Sequence, residues 1–184
     1  MVAAKTPKPM TLDEFIKFAL LPENSVREFE FINGEIVEAF PTTTYRSQIA
    51  LLIARPVYSY CNKRHVPCYT SGATGPYHVQ GNVLLPKFAY KRTPMSDDYP
   101  DSVPPLWVAD VISPFDKADD IRAKRDIYIE AGILRWETYE PLQKVDVYAP
   151  GQPMRTVGID GVLDGGDVLP GFTLPVKDLF PDSA

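Results

Sequence analysis

The hydrophobic and polar positions along the chain change period several times, and each change marks an element. Leu12, Phe15, Ile16, Ala19 and Leu20 share one face of a helical repeat, and Thr11 with Glu14 has the spacing of a capping box at its start. Pro22 ends this run. Over residues 27–38 the period drops to two, with Phe29 and Phe31 alternating with Glu28 and Glu30. Asn33-Gly34 tolerates the positive φ that a two-residue hairpin turn demands, so two antiparallel strands are expected here. Ile49, Leu52, Ile53, Val57 and Tyr60 return to helical spacing and predict a core helix. Pro56 is expected to kink that helix or to mark a boundary in it.

Strand-like pieces follow at 65–69 and 77–79, and the Gln80-Gly81-Asn82 turn leads into a further one at 83–90. Residues 93–105, rich in Pro, Ser and Asp, read as a surface loop. Residues 106–112 are nearly all apolar, as in a strand buried on both faces, and Ser113-Pro114 stops them. A helix is expected over 117–131 with Gly132 as its C-terminal stop. Strands at 135–139 and 144–148 flank a turn at Pro141, and the Gly-rich remainder reads as short strands and turns ending near Phe180. No internal repeat or low-complexity tract interrupts this order. A buried strand, a helix and another strand in succession predict an α/β fold with a central mixed β-sheet flanked by helices.

Composition narrows the picture. A length of 184 residues suits one core, so 10–184 is read as a single domain and the basic, proline-bearing 1–9 as a flexible leader. With 19 Lys plus Arg against 24 Asp plus Glu the net charge is −5, which gives no global attraction to nucleic acid. Any such binding needs a local basic face. Cys61 falls late in a helical pattern and Cys68 in a strand-like run, and no secretion signal precedes them; two reduced thiols in a cytoplasmic protein are expected. His65 and His78 are too few to suggest a zinc site. The longest purely apolar stretch, 49–54, is far short of a membrane span.

One acid stands out chemically. Asp110 sits inside WVADVISP, an apolar strand where a carboxylate is costly unless it is paired or bound to a cation. Structural pairing and a functional role are both open at this point. The acids Asp97, Asp98 and Asp101 in the Pro/Ser loop read as solvated. Lys63-Arg64-His65, Lys91-Arg92 and Arg122 with Lys124-Arg125 read as solvated surface, or else as a rim that touches phosphate. Trp107 and Trp136 are core aromatics, and Gly165-Gly166 is a turn.

Five motifs in order, EFINGEIVE, VLLPKF, WVADVISP, KRDIYIEAGILRWETYEP and GDVLPGFTLPVKDLF, resemble the Uma-two type of bacterial restriction endonuclease. That family, long catalogued as a domain of unknown function, belongs to the PD-(D/E)XK nuclease superfamily. The likeness runs from about residue 10 to 180 and implies a restriction-endonuclease-like fold, DNA as partner, Mg²⁺- or Mn²⁺-assisted phosphodiester hydrolysis, and a homodimer by the superfamily's habit. Hard divalent ions held by carboxylates polarise the phosphoryl oxygen and activate water in such chemistry. By resemblance Glu30 is the first family acid and Asp110 the second, usually glutamate; these two would bind the metal. Ile112 stands where the superfamily signature has lysine, while Lys124 matches a basic position on the next helix and would serve as accessory base or charge stabiliser.

The departure is at Pro86-Lys87, where the family has Pro-Asp. A cation about 4 Å from a divalent ion opposes it by roughly 8 kcal/mol at an effective dielectric near 20, as an upper bound. Impaired cleavage is therefore expected, with the ammonium of Lys87 in the metal's place between Glu30 and Asp110; the alternative is that Lys87 points to solvent. Beside the impaired endonuclease stand two other readings: a catalytically inactive nuclease-derived domain that binds nucleic acid or a protein partner, and a regulatory subunit that pairs with an active relative.

Overall fold

The computed structural model describes residues 10–39 and 41–181, so the leader read at 1–9 lies outside the described residues. Helix α1, Leu12–Ala19, opens on the reciprocal Thr11–Glu14 capping box and buries Phe15. Strands β1 (Phe29–Ile32) and β2 (Glu35–Glu38) form the expected hairpin, and its tip places Asn33 at φ 52° and Gly34 at φ 88°. Those are the signs required of a type I′ turn. Phe15 stacks on Phe31 with ring centroids 5.0 Å apart, which pins the helix to the hairpin.

Helix α2, Thr44–Arg64, runs without interruption through Pro56, contrary to the boundary its sequence suggests. Ile49, Ile53, Val57 and Cys61, spaced four apart, are all fully buried along one stripe. Packing of that stripe on the sheet outweighs the hydrogen bond that proline removes. After it come β3 (Tyr69–Ser71), β4 (Tyr77–Val79), β5 (Asn82–Leu84), β6 (Phe88–Lys91), β7 (Trp107–Val111), helix α3 (Ala118–Glu130), β8 (Leu134–Tyr139), β9 (Lys144–Tyr148), β10 (Arg155–Val157), β11 (Val162–Gly165) and β12 (Leu169–Pro175).

The main sheet has the order β10-β9-β8-β7-β6-β3 and is mixed. Only β7 and β8, joined by α3, run parallel; its other pairs are antiparallel. On one face Trp107, Ala109, Val111 and Trp136 pack with α2 and the segment around Leu179. On the other, Val108 packs with Tyr128 and Ile127 of α3. Helices thus cover both faces, as the sequence order predicts. A smaller sheet, β2-β1-β5-β4, and the β11-β12 hairpin complete the described residues.

Three expectations are corrected. The strand read at 83–90 is two strands in two different sheets, separated at Leu85-Pro86-Lys87, because Pro86 has no N–H for a ladder. The piece read at 65–69 begins only at Tyr69, after His65 caps α2 in the left-handed conformation. Asp101 is not solvated: it is buried against the equally buried Lys91, and the amides of Val103 (2.9 Å) and Ser96 (3.3 Å) donate to it. A buried ion pair sealed by backbone donors replaces water there. Lys91 is therefore no part of a basic surface.

Replacing Ile53 with alanine should destabilise the protein by about 3 kcal/mol in urea denaturation, the scale of a buried large-to-small change. A cost below about 1 kcal/mol would contradict the packing of α2 on the main sheet.

Candidate active site

The register of the parallel pair creates the site. Val108 and Asp110 of β7 lie beside Arg135 and Glu137 of β8, with Asp110 directly across from Glu137. Side chains alternate along a strand, so these four point toward α3 while Trp107, Ala109 and Trp136 point toward α2. Lys124, Arg125 and Tyr128 descend from α3 onto the same face. Glu30 enters from β1 of the smaller sheet and accepts a 2.7 Å hydrogen bond from the amide of Leu85.

Charges run through the interior as a chain. The ammonium of Lys124 lies 2.8 Å from Glu30 Oε1 and 3.8 Å from Asp110 Oδ1. Arg135 Nη2 lies 3.1 Å from Asp110 Oδ2 and 3.3 Å from Glu137 Oε1. Arg125 grips Glu137 with two bonds of 3.0 and 2.7 Å, and the hydroxyl of Tyr139 donates to the same carboxylate at 2.8 Å. The side chains of Arg135 and Glu137 are 1% and 0% exposed, so each charge depends on the next for compensation. Arg135 also sits over the ring of Tyr128 at 5.3 Å.

The electrostatic balance favours the charged forms. Burial alone would push the carboxyl of Asp110 up, but Lys124, Arg135 and Lys87 outweigh it and hold the group below its ordinary value. Burial likewise pulls Lys124 down, yet Asp110 and Glu30 override it and keep the ammonium protonated above the usual lysine range. The buried hydroxyl of Tyr128 is pushed well above its ordinary value by burial and by Asp110 and Glu30.

A cavity of about 290 Å³ opens over this cluster, lined by Glu30, Lys87, Asp110, Ile112, Lys124 and Arg135, with Glu35, Glu38, Asp116 and Asp120 among the residues nearer its rim. Of the residues singled out from the sequence, Glu30, Asp110 and Lys124 come together directly. Lys87 reaches the cluster differently from expectation. Its backbone N–H donates to Asp110 Oδ1 at 3.4 Å, while its half-buried side chain lines the cavity and forms no ion pair with either acid among the described residues. The cation between the two acids is Lys124. The connector aims its amide at Asp110 and leaves its side chain to the groove, whereas Lys124 drops onto the acids from the helix above. Arg135 and Glu137 escaped the sequence reading, and Arg125, expected on a solvated surface or a phosphate rim, instead grips the buried Glu137. The one visible signal of Arg135 and Glu137 was opposite charges two apart in LRWETY, a strand otherwise built for burial.

A family model described as "Uma2: Putative restriction endonuclease" matches residues 12–177. The chain belongs to the Uma2 family. A crystal structure described as "a putative nuclease belonging to DUF820" from Anabaena variabilis matches with a TM-score of 0.80 and 21% identity, over 94% of this chain and 98% of that one. At that identity the likeness is one of fold, and it agrees with the mixed, helix-flanked sheet. No curated protein matches the chain. No helix among the described residues is long and apolar enough to cross a membrane.

Restriction-endonuclease-like families generally use divalent metals. Mg²⁺ demands hard oxygen ligands in near-ideal octahedral geometry, with carboxylates free to face it. In this Uma2 chain Glu30 and Asp110 are engaged by Lys124, by Arg135 and by the amides of Leu85 and Lys87. Among the described residues no group of three or more His, Cys, Asp or Glu side chains is placed to hold a metal ion. Two acids already paired with Lys124 and Arg135, with Lys87 at the cavity wall, do not fit a divalent ion.

The pKa directions fix the sign of the pH dependence. Asp110 is depressed, so its contribution to stability is present above the ordinary aspartate value of about 3.9 and is lost as pH falls through the lower folded value. Lys124 is raised, so its contribution is full below about 10.4 and is lost as pH climbs through the folded value. Lys124→Met should cost about 3 kcal/mol at neutral pH, because it leaves two buried acids facing each other. Urea melts should show that deficit shrinking toward pH 5, as the unbridged acids take up a proton. A variant that tracks the native protein at a constant offset would contradict the bridge.

Proposed function

We propose that this protein is a nuclease-family domain that engages DNA at the Glu30–Asp110–Lys124 cleft, with metal-assisted phosphodiester hydrolysis impaired by Lys87. One observation carries the reading: the ammonium of Lys124 lies between the two acids at 2.8 and 3.8 Å, with Lys87 beside it at the cavity wall. Glu30 and Asp110 are the family's ligand positions, and a fixed cation meets them here. The lining carries six acids and four bases, so the attraction to a phosphate oxygen is local and falls to Lys87, whose ammonium forms no ion pair with either acid among the described residues.

Each residue then has a role that needs no bound ion. Arg135 holds Asp110 in place, and Asp110 with Glu30 holds Lys124 protonated. Lys124 offsets charge on the phosphate from within the cleft, and Lys87 contacts it from the wall. With a net charge of −5 the attraction is local and sensitive to salt. The setting is the cytoplasm, residues 10–184 act as one domain, and two copies pair as restriction-endonuclease-like proteins commonly do. A fully active Mg²⁺-dependent endonuclease is the second reading, favoured by the meeting of Glu30, Asp110 and Lys124 in one cluster.

Plasmid nicking with Mg²⁺ or Mn²⁺ should not rise above that of Asp110→Ala, while fluorescence anisotropy should report DNA binding that weakens with added salt. Cleavage that disappears in Asp110→Ala would establish the active endonuclease instead. Lys87→Asp should gain Mg²⁺ binding by titration calorimetry, and a silent titration would remove Lys87 as the cause of impairment.

A further inference from the structure

Beside the cleft lies a second cavity of about 280 Å³, between the first half of α2 and the loop after β3. Thr42 and Lys87 line both cavities, so the two adjoin at those residues. Their chemistry differs. The first has six acids among its lining residues, whereas among the described residues the only charged ones lining the second are Arg46 and Lys87. The rest of its wall mixes apolar surface from Ala50, Leu51 and Ala54 with hydroxyls such as those of Ser47 and Thr70. Leu51 is an exposed large apolar side chain, 67% open to solvent.

Arg46 is incompletely used by the fold. Its Nη2 lies 3.3 Å from Glu140, but its buried Nε has no partner. A buried donor without an acceptor is costly, which favours a ligand that supplies one. The first turn of α2 contains no acidic residue and is capped by the neutral side chain of Thr43, which accepts from the amide of Arg46, so the positive end of the helix meets no negative charge in its own first turn beside Thr42, Arg46 and Ser47. Concave apolar surface with a few convergent polar groups is the usual make-up of a small-molecule pocket.

We propose that this second cavity is a nucleotide subsite: it takes one unpaired nucleotide of a DNA strand lying in the cleft, its phosphate against Lys87 and Arg46. The sugar and base rest on Leu51 and Ala54, with the hydroxyls available to the base edge. A duplex does not present a base to a side cavity without unstacking it, so unpaired DNA is the preferred substrate class. This inference rests on the reading of the cleft as a DNA site and adds the strand state that the site selects.

Gly72 provides a clean test. It lines the cavity, and a Cβ placed there meets nothing within 4 Å, so the backbone accepts Gly72→Leu and the variant adds bulk at the cavity wall. Arg46→Gln is the second variant and removes charge without adding bulk. Binding is read with a short single-stranded oligonucleotide carrying 2-aminopurine, with its duplex, with deoxyadenosine monophosphate and with inorganic phosphate. The native protein should bind the single strand more tightly than the duplex, and the fluorophore should report a new environment. Both variants, with Tm unchanged for Gly72→Leu, should bind the single strand about tenfold more weakly, the loss expected for one charge-assisted or packing contact. The monophosphate should compete at high concentration, and phosphate more weakly still. Equal binding by Gly72→Leu and the native protein overturns the subsite alone. Preference for the duplex, or binding of the monophosphate without the strand, also overturns it. Absence of any DNA binding by the native protein overturns the reading of the cleft beneath it.

Discussion

The interior of this protein depends on compensating one buried acid. Asp110 lies in a strand whose neighbours are Trp107, Val108, Ala109 and Val111, all buried, and a carboxylate in that place survives only with cations around it. Lys124 and Arg135 provide them, and each brings a further obligation. Lys124 draws in Glu30 from the smaller sheet, and Arg135 draws in Glu137, which in turn holds Arg125. One charge inside a sheet has become a chain of ions that ties β1, β7, β8 and α3 together. Its contribution to net stability is modest, since desolvation offsets most of the attraction. Its effect on arrangement is large, because removing any member leaves a buried charge unmatched.

The connector Leu85-Pro86-Lys87 decides what this cluster faces. Pro86 ends the strand ladder, and the chain passes there from the smaller sheet to the main one. The amides on either side of Pro86 are not wasted, for Leu85 donates to Glu30 and Lys87 to Asp110. A short backbone segment thus holds both acids by their oxygens and sets Lys87 at the join of two cavities. In this Uma2 chain the segment brings a positive charge to the wall that the two cavities share.

Charge placement also separates the two cavities by what they attract. The first mixes acids and bases at close quarters, and its net preference is set by which pairs are already satisfied. The second offers only positive charge beside apolar surface. A phosphodiester strand, the occupant proposed for them, carries both properties, an anionic backbone and flat apolar bases.

Local pattern by itself determined the elements. The capping box at Thr11, the Asn33-Gly34 turn, the helical spacing of Ile49, Ile53 and Val57 in α2 and the stop at Gly132 are each settled by neighbours within a few residues, and each stands in the structure as read. The motif resemblance located Glu30, Asp110 and Lys124, far apart in sequence, and the fold joins them. Partnership, by contrast, was decided only in three dimensions. Nothing local told that Lys124 rather than Lys87 would bridge the acids, because that depends on the angle at which α3 crosses the sheet. Nor did the Pro/Ser-rich loop reveal that Asp101 is buried against Lys91, or LRWETY that Arg135 serves Asp110. Periodicity reports which face a residue occupies; the identity of the opposing charge is a property of strand register and helix placement, and those belong to the tertiary structure alone.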